Sequence, residues 1–229
     1  ADQGFSAASN GFPGFSNIAG GKFDRRNKAL YVDGEWEPTD SLLIGAAIRY
    51  EDFDDFGTTT NYKLAANWRI TDAFGLRATI GTGFKAPTPG QSNAFNVSTE
   101  FDFVLNDLVN NGTIPSTTEV AMLRGGRALQ PEESLNMTFG VFFNVGDLDV
   151  TVDYFKIDVD DRLNLSQLFQ LTQQEIDDLI AEGVTSAGNL QNFRFFTNDF
   201  DTETDGIDVV ATYPIDWAAG NTDLSLAFN

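Results

Sequence analysis

The sequence predicts an all-β protein. The expected fold is an antiparallel, up-and-down, transmembrane β-barrel segment of about eight strands, with long extracellular loops and one short loop helix. Three observations carry this. Apolar residues recur at every second position in segment after segment. The cleanest segments run roughly nine to eleven residues, the length a tilted strand needs to cross a bilayer core, against about five or six in soluble sheets. Short turns alternate with long connections, which is how outer-membrane barrels distribute their two rims.

The elements follow in order. Residues 30–37 form a weak first strand. In the second, Leu42, Ile44, Ala46, Ile48 and Tyr50 share one face against Leu43, Gly45, Ala47, Arg49 and Glu51. The third sets Tyr62, Leu64, Ala66, Trp68 and Ile70 against Lys63, Asn67 and Arg69. The fourth sets Leu76, Ala78, Ile80 and Phe84 against Arg77, Thr79, Gly81 and Lys85. The fifth sets Leu135, Met137, Phe139, Val141, Phe143 and Val145 against Asn136, Thr138, Gly140 and Asn144. Weaker copies cover 148–154, 207–215 and 224–229. After Tyr154 the apolar phase switches to Phe155, Ile157 and Val159, as a bulge or a strand leaving the membrane would produce.

Short turns are expected at 37–41, 70–75, 144–147 and 216–221, a modest loop at 53–61, and very long loops at 86–133 and 163–192. In the last, Thr172-Gln173-Gln174-Glu175 reads as a capping box, Ile176, Leu179 and Ile180 give an apolar face, and Gly183 ends the helix. No linker divides the chain, so 1–229 is read as one domain.

Two details favour a membrane over a soluble sandwich. Tyr50, Tyr62, Phe84 and Tyr154 lie beside the long loops, and Trp36, Trp68, Phe143 and Tyr213 beside the short turns. These are two aromatic girdles around an aliphatic band. The opposite face carries Glu35, Arg49, Glu51, Lys63, Arg69, Arg77, Lys85, Asp149 and Asp153, which fits a wet lumen.

Composition narrows the function. With 34 Asp+Glu against 14 Lys+Arg the formal charge is -20, which argues against nucleic acid and against docking on anionic lipid. There is no histidine and no cysteine, so Ser-His and Cys-His nucleophile pairs and disulfides are excluded, and no enzyme is expected. No stretch of about 18 apolar residues forms a membrane helix. The start, Ala1-Asp2-Gln3-Gly4-Phe5, lacks the basic and apolar parts of a signal peptide, so a mature chain or a fragment is expected.

Several motifs resemble those of one family. Gly83-Phe84-Lys85-Ala86-Pro87 resembles the "GF(R/K)AP" signature of TonB-dependent receptor barrels. The stretch from Leu129 through Pro131 and Glu132 to Ser134 is similar to their "L-x-PE-x-S" segment. Arg49-Tyr50-Glu51-Asp52-Phe53, followed by Asp55-Phe56-Gly57, looks like "RYEDYSDFG". Thr204, Gly206 and Asp208 match "T-x-G-x-(D/E)", and Gly11-Phe12-Pro13-Gly14-Phe15 has a counterpart in an outer loop of some subgroups. Their order over nearly the whole chain identifies it as resembling the barrel portion of a TonB-dependent receptor. The motif residues are read as architecture: Pro87 ends a ladder, Pro131 leads into a strand, and Gly206 permits a bulge or a close approach.

The resemblance implies an outer-membrane receptor for energised uptake of a scarce nutrient such as a ferric siderophore, cobalamin, haem or an oligosaccharide. It implies contact with outer-membrane lipid, a small-molecule ligand held by the outer loops, and an inner-membrane TonB complex acting through a plug that these residues do not include. An internal barrel fragment of a longer chain is therefore expected. A complete eight-stranded barrel, acting as an adhesin or structural protein, and a soluble carbohydrate-binding sandwich are the alternatives; a carboxylate glycosidase is a distant third.

No catalytic, cofactor, metal or ligand residue is assigned. Asp201–Gly206 mimics half a calcium loop but has Thr212 where a Glu is needed, and Asp52, Asp54 and Asp55 are interrupted by Phe56, so both clusters read as solvated loop acids. In the loop 91–127, Phe95, Phe101 and Phe103 suit sugar or aryl ligands and Arg124 and Arg127 suit an anionic chelate. Packing of these loop residues on one another is an equal alternative.

Overall fold

A computed structural model describes residues 22–102, 106–184, 187–188 and 190–229. The Gly11–Phe15 motif and Phe103 lie outside the described residues. The chain divides into two compact units.

The first, the sheet unit, comprises Arg26–Lys85, Glu132–Asp160 and Asp201–Asn229. Its strands belong to β1 (Asn27–Thr39), β2 (Leu42–Phe53), β3 (Gly57–Thr71), β4 (Phe74–Lys85), β7 (Glu132–Val145), β8 (Leu148–Leu165), β11 (Phe196–Trp217) and β12 (Gly220–Phe228). They form one eight-stranded sheet in the order β1-β2-β3-β4-β7-β8-β11-β12, the up-and-down order the sequence predicts. All four expected short turns are present as two-residue connections between these strands. Slips in register beside two of them, between Trp36 and Thr39 and between Arg69 and Thr71, mark bulges. Pro38 sits in the first, where its missing N–H costs no ladder bond.

Register decides the faces, because residues directly opposite share a side of the sheet. One row runs Ala46, Leu64, Ile80, Met137, and the next Ile44, Ala66, Ala78, Phe139, Tyr154. The opposite face has the row Glu35, Gly45, Ala65, Thr79, Thr138, Phe155.

The bulge expected near Tyr154 is absent. The pairing of β7 with β8 continues unbroken from Val145↔Leu148 to Glu133↔Asp160. Phe155 and Ile157 simply face the polar side, and Phe155 has room there because its ring lies where a side chain on residue 206 would be. The strand instead continues, and Lys156 on the apolar side pairs with Glu203 at 3.0 Å and Asp158 at 3.5 Å. The backbone departs only at Asp161, with φ of 53°.

The second, the loop unit, comprises Ala1–Arg25, Ala86–Pro131 and Asp161–Phe200. It contains a second sheet that the sequence did not predict, ordered β5-β6-β10-β9 from Asn96–Asp102, Asp107–Thr113, Asn192–Arg194 and Phe169–Gln170. Strands β6 and β10 are parallel and the other pairs antiparallel. Two short helices, α1 (Pro89–Ser92) and α2 (Glu119–Met122), precede the expected one, α3 (Gln173–Ala181).

Helix α3 has its capping box as read: the Thr172 side chain accepts from the Glu175 N–H while the Glu175 carboxylate accepts from the Thr172 N–H. Gly183, with φ of 97°, donates to the Ile180 carbonyl and Val184 to the Leu179 carbonyl, closing the helix. The helix does more than cover backbone. Ile176 and Leu179 enter a core with Ile114, Val120, Leu171, Leu190, Phe193 and Phe195. Ile180, expected on the same face, is exposed.

Every buried apolar residue of the described chain lies in the loop unit. The sheet unit has none; its apolar face is open, with Leu30, Val32 and Trp36 each at least 65% exposed.

Candidate functional site

Two surfaces hold the functional groups: the polar face of the sheet unit and the loop unit. On the first, alternation in β4 and β8 puts Arg77 and Asp153 on the same side, each opposite Gly140 in the intervening strand β7. The guanidinium makes a forked ion pair with the Asp153 carboxylate across β7. A Cβ on residue 140 would collide with Asp153 and press on Arg77. Gly140 is thus the window through which two non-adjacent strands are tied. Gly140→Ala is expected to destabilise the sheet by about 1–3 kcal/mol, the usual cost of overpacking. A double change with Asp153→Ala should recover part of that loss in urea unfolding.

The family-motif residues meet in pairs. Gly83, Phe84 and Lys85 of β4 lie opposite Ser134, Glu133 and Glu132 of β7. Lys85 Nζ reaches the buried Glu132 carboxylate at 3.1 Å. Ala86 follows the end of β4, and the Pro87 carbonyl, in a fully buried residue, accepts from Arg25 at 2.5 Å. Pro131 immediately precedes β7. In the arginine-tyrosine motif, buried Glu51 takes a forked pair from Arg49 at 2.9 Å and a hydrogen bond from Asn27 Nδ2 at 3.0 Å. Arg49 also lies over the Tyr31 ring.

Thr204, Gly206 and Asp208 lie inside β11, which starts at Phe196, well before the strand expected at 207–215. Gly206 makes room for the Phe155 ring, and Asp208 accepts from Asn229 Nδ2. This extended backbone also corrects the reading of residues 201–206 as loop acids: Asp201, Glu203 and Asp205 are strung along one side of a strand rather than wound into a loop. No cluster of three potential metal ligands exists among the described residues.

Small side chains at Gly45, Ala47 and Ala65 leave a hollow of about 500 Å³ on the polar face, edged by Asp33, Glu35 and Lys63. Its rim carries charges of both signs around a floor of small side chains.

In the loop unit the candidate arginines serve structure. Arg124 pairs with Glu175 at 2.8 Å and donates to the Gln170 carbonyl at 3.1 Å. Arg127 donates to the Asn198 carbonyl at 3.0 Å. Buried Asn198, which alternation does not single out, bonds both ways with the Gln130 backbone and donates to the Asp161 carbonyl. Phe95 packs against the core and Phe101 is exposed.

The Arg124 guanidinium, helped by the Thr172 N–H, holds Glu175 down at about 2. The same pairing raises Arg124. The folded value lies below the unfolded carboxylate value of about 4.3. The stabilisation is therefore complete above that value and lost as pH falls from about 4.3 towards 2. Amide exchange in α3, corrected for its intrinsic pH dependence, should accelerate across that window, and Glu175→Gln should flatten the response.

The family model described as TonB dependent receptor-like, beta-barrel, matches residues 2–229. The heme/hemopexin utilization protein C of Haemophilus influenzae (strain 86-028NP) is 27% identical over 186 residues, 76% of this chain and 23% of that protein. The vitamin B12 transporter BtuB of Vibrio cholerae serotype O1 (strain M66-2) is 34% identical over 68 residues, 29% of this chain and 11% of that protein. The crystal structure of the siderophore receptor PirA from Pseudomonas aeruginosa superposes with a TM-score of 0.61 at 19% identity, covering 89% of this chain and 34% of that one. That likeness speaks for the fold. The chain spans less than a quarter of the length of either of these two curated relatives. Over its matched length, it belongs to the TonB-dependent receptor-like β-barrel family.

Proposed function

We propose that this chain is part of the barrel domain of an outer-membrane receptor that takes up a scarce nutrient, in the class of ferric siderophores, haem, cobalamin or oligosaccharides. The carrying observation is the open apolar face of the sheet unit. Eight strands present Leu30, Val32, Ile48, Leu64, Phe139 and Leu226 to the outside, each more than half exposed, with no apolar core beneath either face. A single-layer sheet in water needs a second layer to bury such a face. Lipid supplies one, and the exposed Tyr50 and Tyr62 towards one end and Trp36, Trp68 and Trp217 towards the other suit the two interfaces, whereas Tyr154, expected with the first group, pairs with Phe139 in mid-strand.

The polar face then lines a wet lumen, where the Arg77–Asp153 tie and the Lys85–Glu132 pair brace the wall. The loops carry the ligand, and energy arrives through a plug and the inner-membrane TonB complex. The relatives named for haem and vitamin B12, and the solved siderophore receptor, support this reading. It assigns no catalytic step to the chain.

Sucrose-gradient fractionation of cells making the full-length protein tests it. The expected product bands with the outer membrane and shifts in gel mobility on boiling. Deletion of its gene should slow growth when one nutrient of this class is limiting. A soluble product without heat-modifiable mobility contradicts the proposal.

A further inference from the structure

We propose that a recess in the loop unit receives an aryl or similarly compact apolar group of a neutral or cationic ligand, with Glu119 at the recess facing the ligand's positive charge. This rests on the receptor reading above and narrows its substrate class.

The recess measures about 310 Å³ and is walled by Phe95, Ile114, Val120, Val184 and Leu190, with Thr117, Thr118 and Glu119 along one side. That is the low end of the range for small-molecule sites, roughly 300–1,000 Å³. It suits one ring or a short aliphatic segment and is too small for a whole multi-ring chelate. Its walls are anchored, since Ile114, Val120 and Leu190 belong to the buried core of the unit. The apolar lining favours transfer of an apolar group from water.

Charge sets the class. Among the described residues of the lining Glu119 is the only charged one, and its side chain is exposed. The guanidinium groups of the unit have partners of their own: Arg25 the Pro87 carbonyl, Arg124 Glu175, Arg127 the Asn198 carbonyl, Arg194 the Thr113 hydroxyl, and Arg162 the Phe200 ring. In the sequence of the unit, Asp and Glu outnumber Lys and Arg two to one. An anionic ferric chelate would approach a surface of its own sign and find no cation among the described residues of the lining. A neutral or cationic ligand meets no such barrier.

The full-length receptor in detergent can be titrated by saturation-transfer NMR with three aryl probes of matched size: benzylamine, benzyl alcohol and benzoate. Benzylamine should bind best and benzyl alcohol about two- to fivefold more weakly, the worth of one exposed ion pair. Benzoate should bind more weakly still. Glu119→Gln should remove the advantage of benzylamine over benzyl alcohol. Filling the recess with Val184→Trp, or with Thr117→Trp at its exposed rim, should abolish binding of all three. Equal binding of benzoate and benzylamine overturns the charge assignment. Binding that survives both tryptophan variants overturns the recess. These readouts need no transport, so their failure is distinct from a failure of membrane fractionation or nutrient-limited growth.

Discussion

Replacing Phe193 by alanine is expected to unfold the loop unit. The side chain is fully buried at the centre of that unit, with the Phe169 and Phe195 rings 5.7 Å and 6.3 Å from its own. Truncating a buried phenylalanine typically costs about 3–5 kcal/mol, part lost transfer energy and part cavity. The unit has a small core, built from short strands, the four-residue α2 and the nine-residue α3, so a loss of that size is a large fraction of what holds it. Amide protection in α3 and β10 should collapse. Protection in β2 and β3 should persist, because their ladder runs through twelve successive register pairs that do not involve Phe193. Loss of protection in both places would show that the two units fold as one.

Leu64→Arg is expected to block assembly of the sheet. Leu64 lies in the aliphatic row with Ala46 and Ile80, between the tyrosine and tryptophan ends of β2 and β3, and is 52% exposed. A mid-membrane arginine facing lipid costs about 2–4 kcal/mol. The neighbouring Ala65→Arg turns its side chain to the polar face and should cost little. The fraction of heat-modifiable protein recovered from membranes separates the two variants. If both assemble equally, the apolar face does not meet lipid.

Much of the sheet was legible because one physical demand, an apolar face at every second position, is written residue by residue in β2, β3, β4 and β7. The upper ends of β8 and β11 were not. There Lys156, Asp158, Glu203 and Asp205 break the alternation, and nothing local replaces it. The phase switch after Tyr154 misled for a related reason: Phe155 faces the polar side because Gly206, far along the chain, leaves it space. Strands β9 and β10, of two and three residues, are too short to show any period, and they hold only as part of the loop unit. Helix α3 was legible because capping is local chemistry. The Arg77–Asp153 tie was not, since a contact across Gly140 requires the register of three strands. Nor was the fate of Arg124 and Arg127, whose partners lie 51 and 71 residues away.

The chain contains no cysteine, so single cysteines introduced along β3 report their surroundings without background from this segment. The most direct measurement is labelling of such variants, from residue 63 to residue 68 of the full-length protein in intact cells, with a water-soluble maleimide and a lipid-soluble one. Strict alternation is predicted: positions 63, 65 and 67 react with the water-soluble reagent, and positions 64, 66 and 68 only with the lipid-soluble one. Uniform reaction of all six positions with the water-soluble reagent would contradict a barrel wall with one face in lipid.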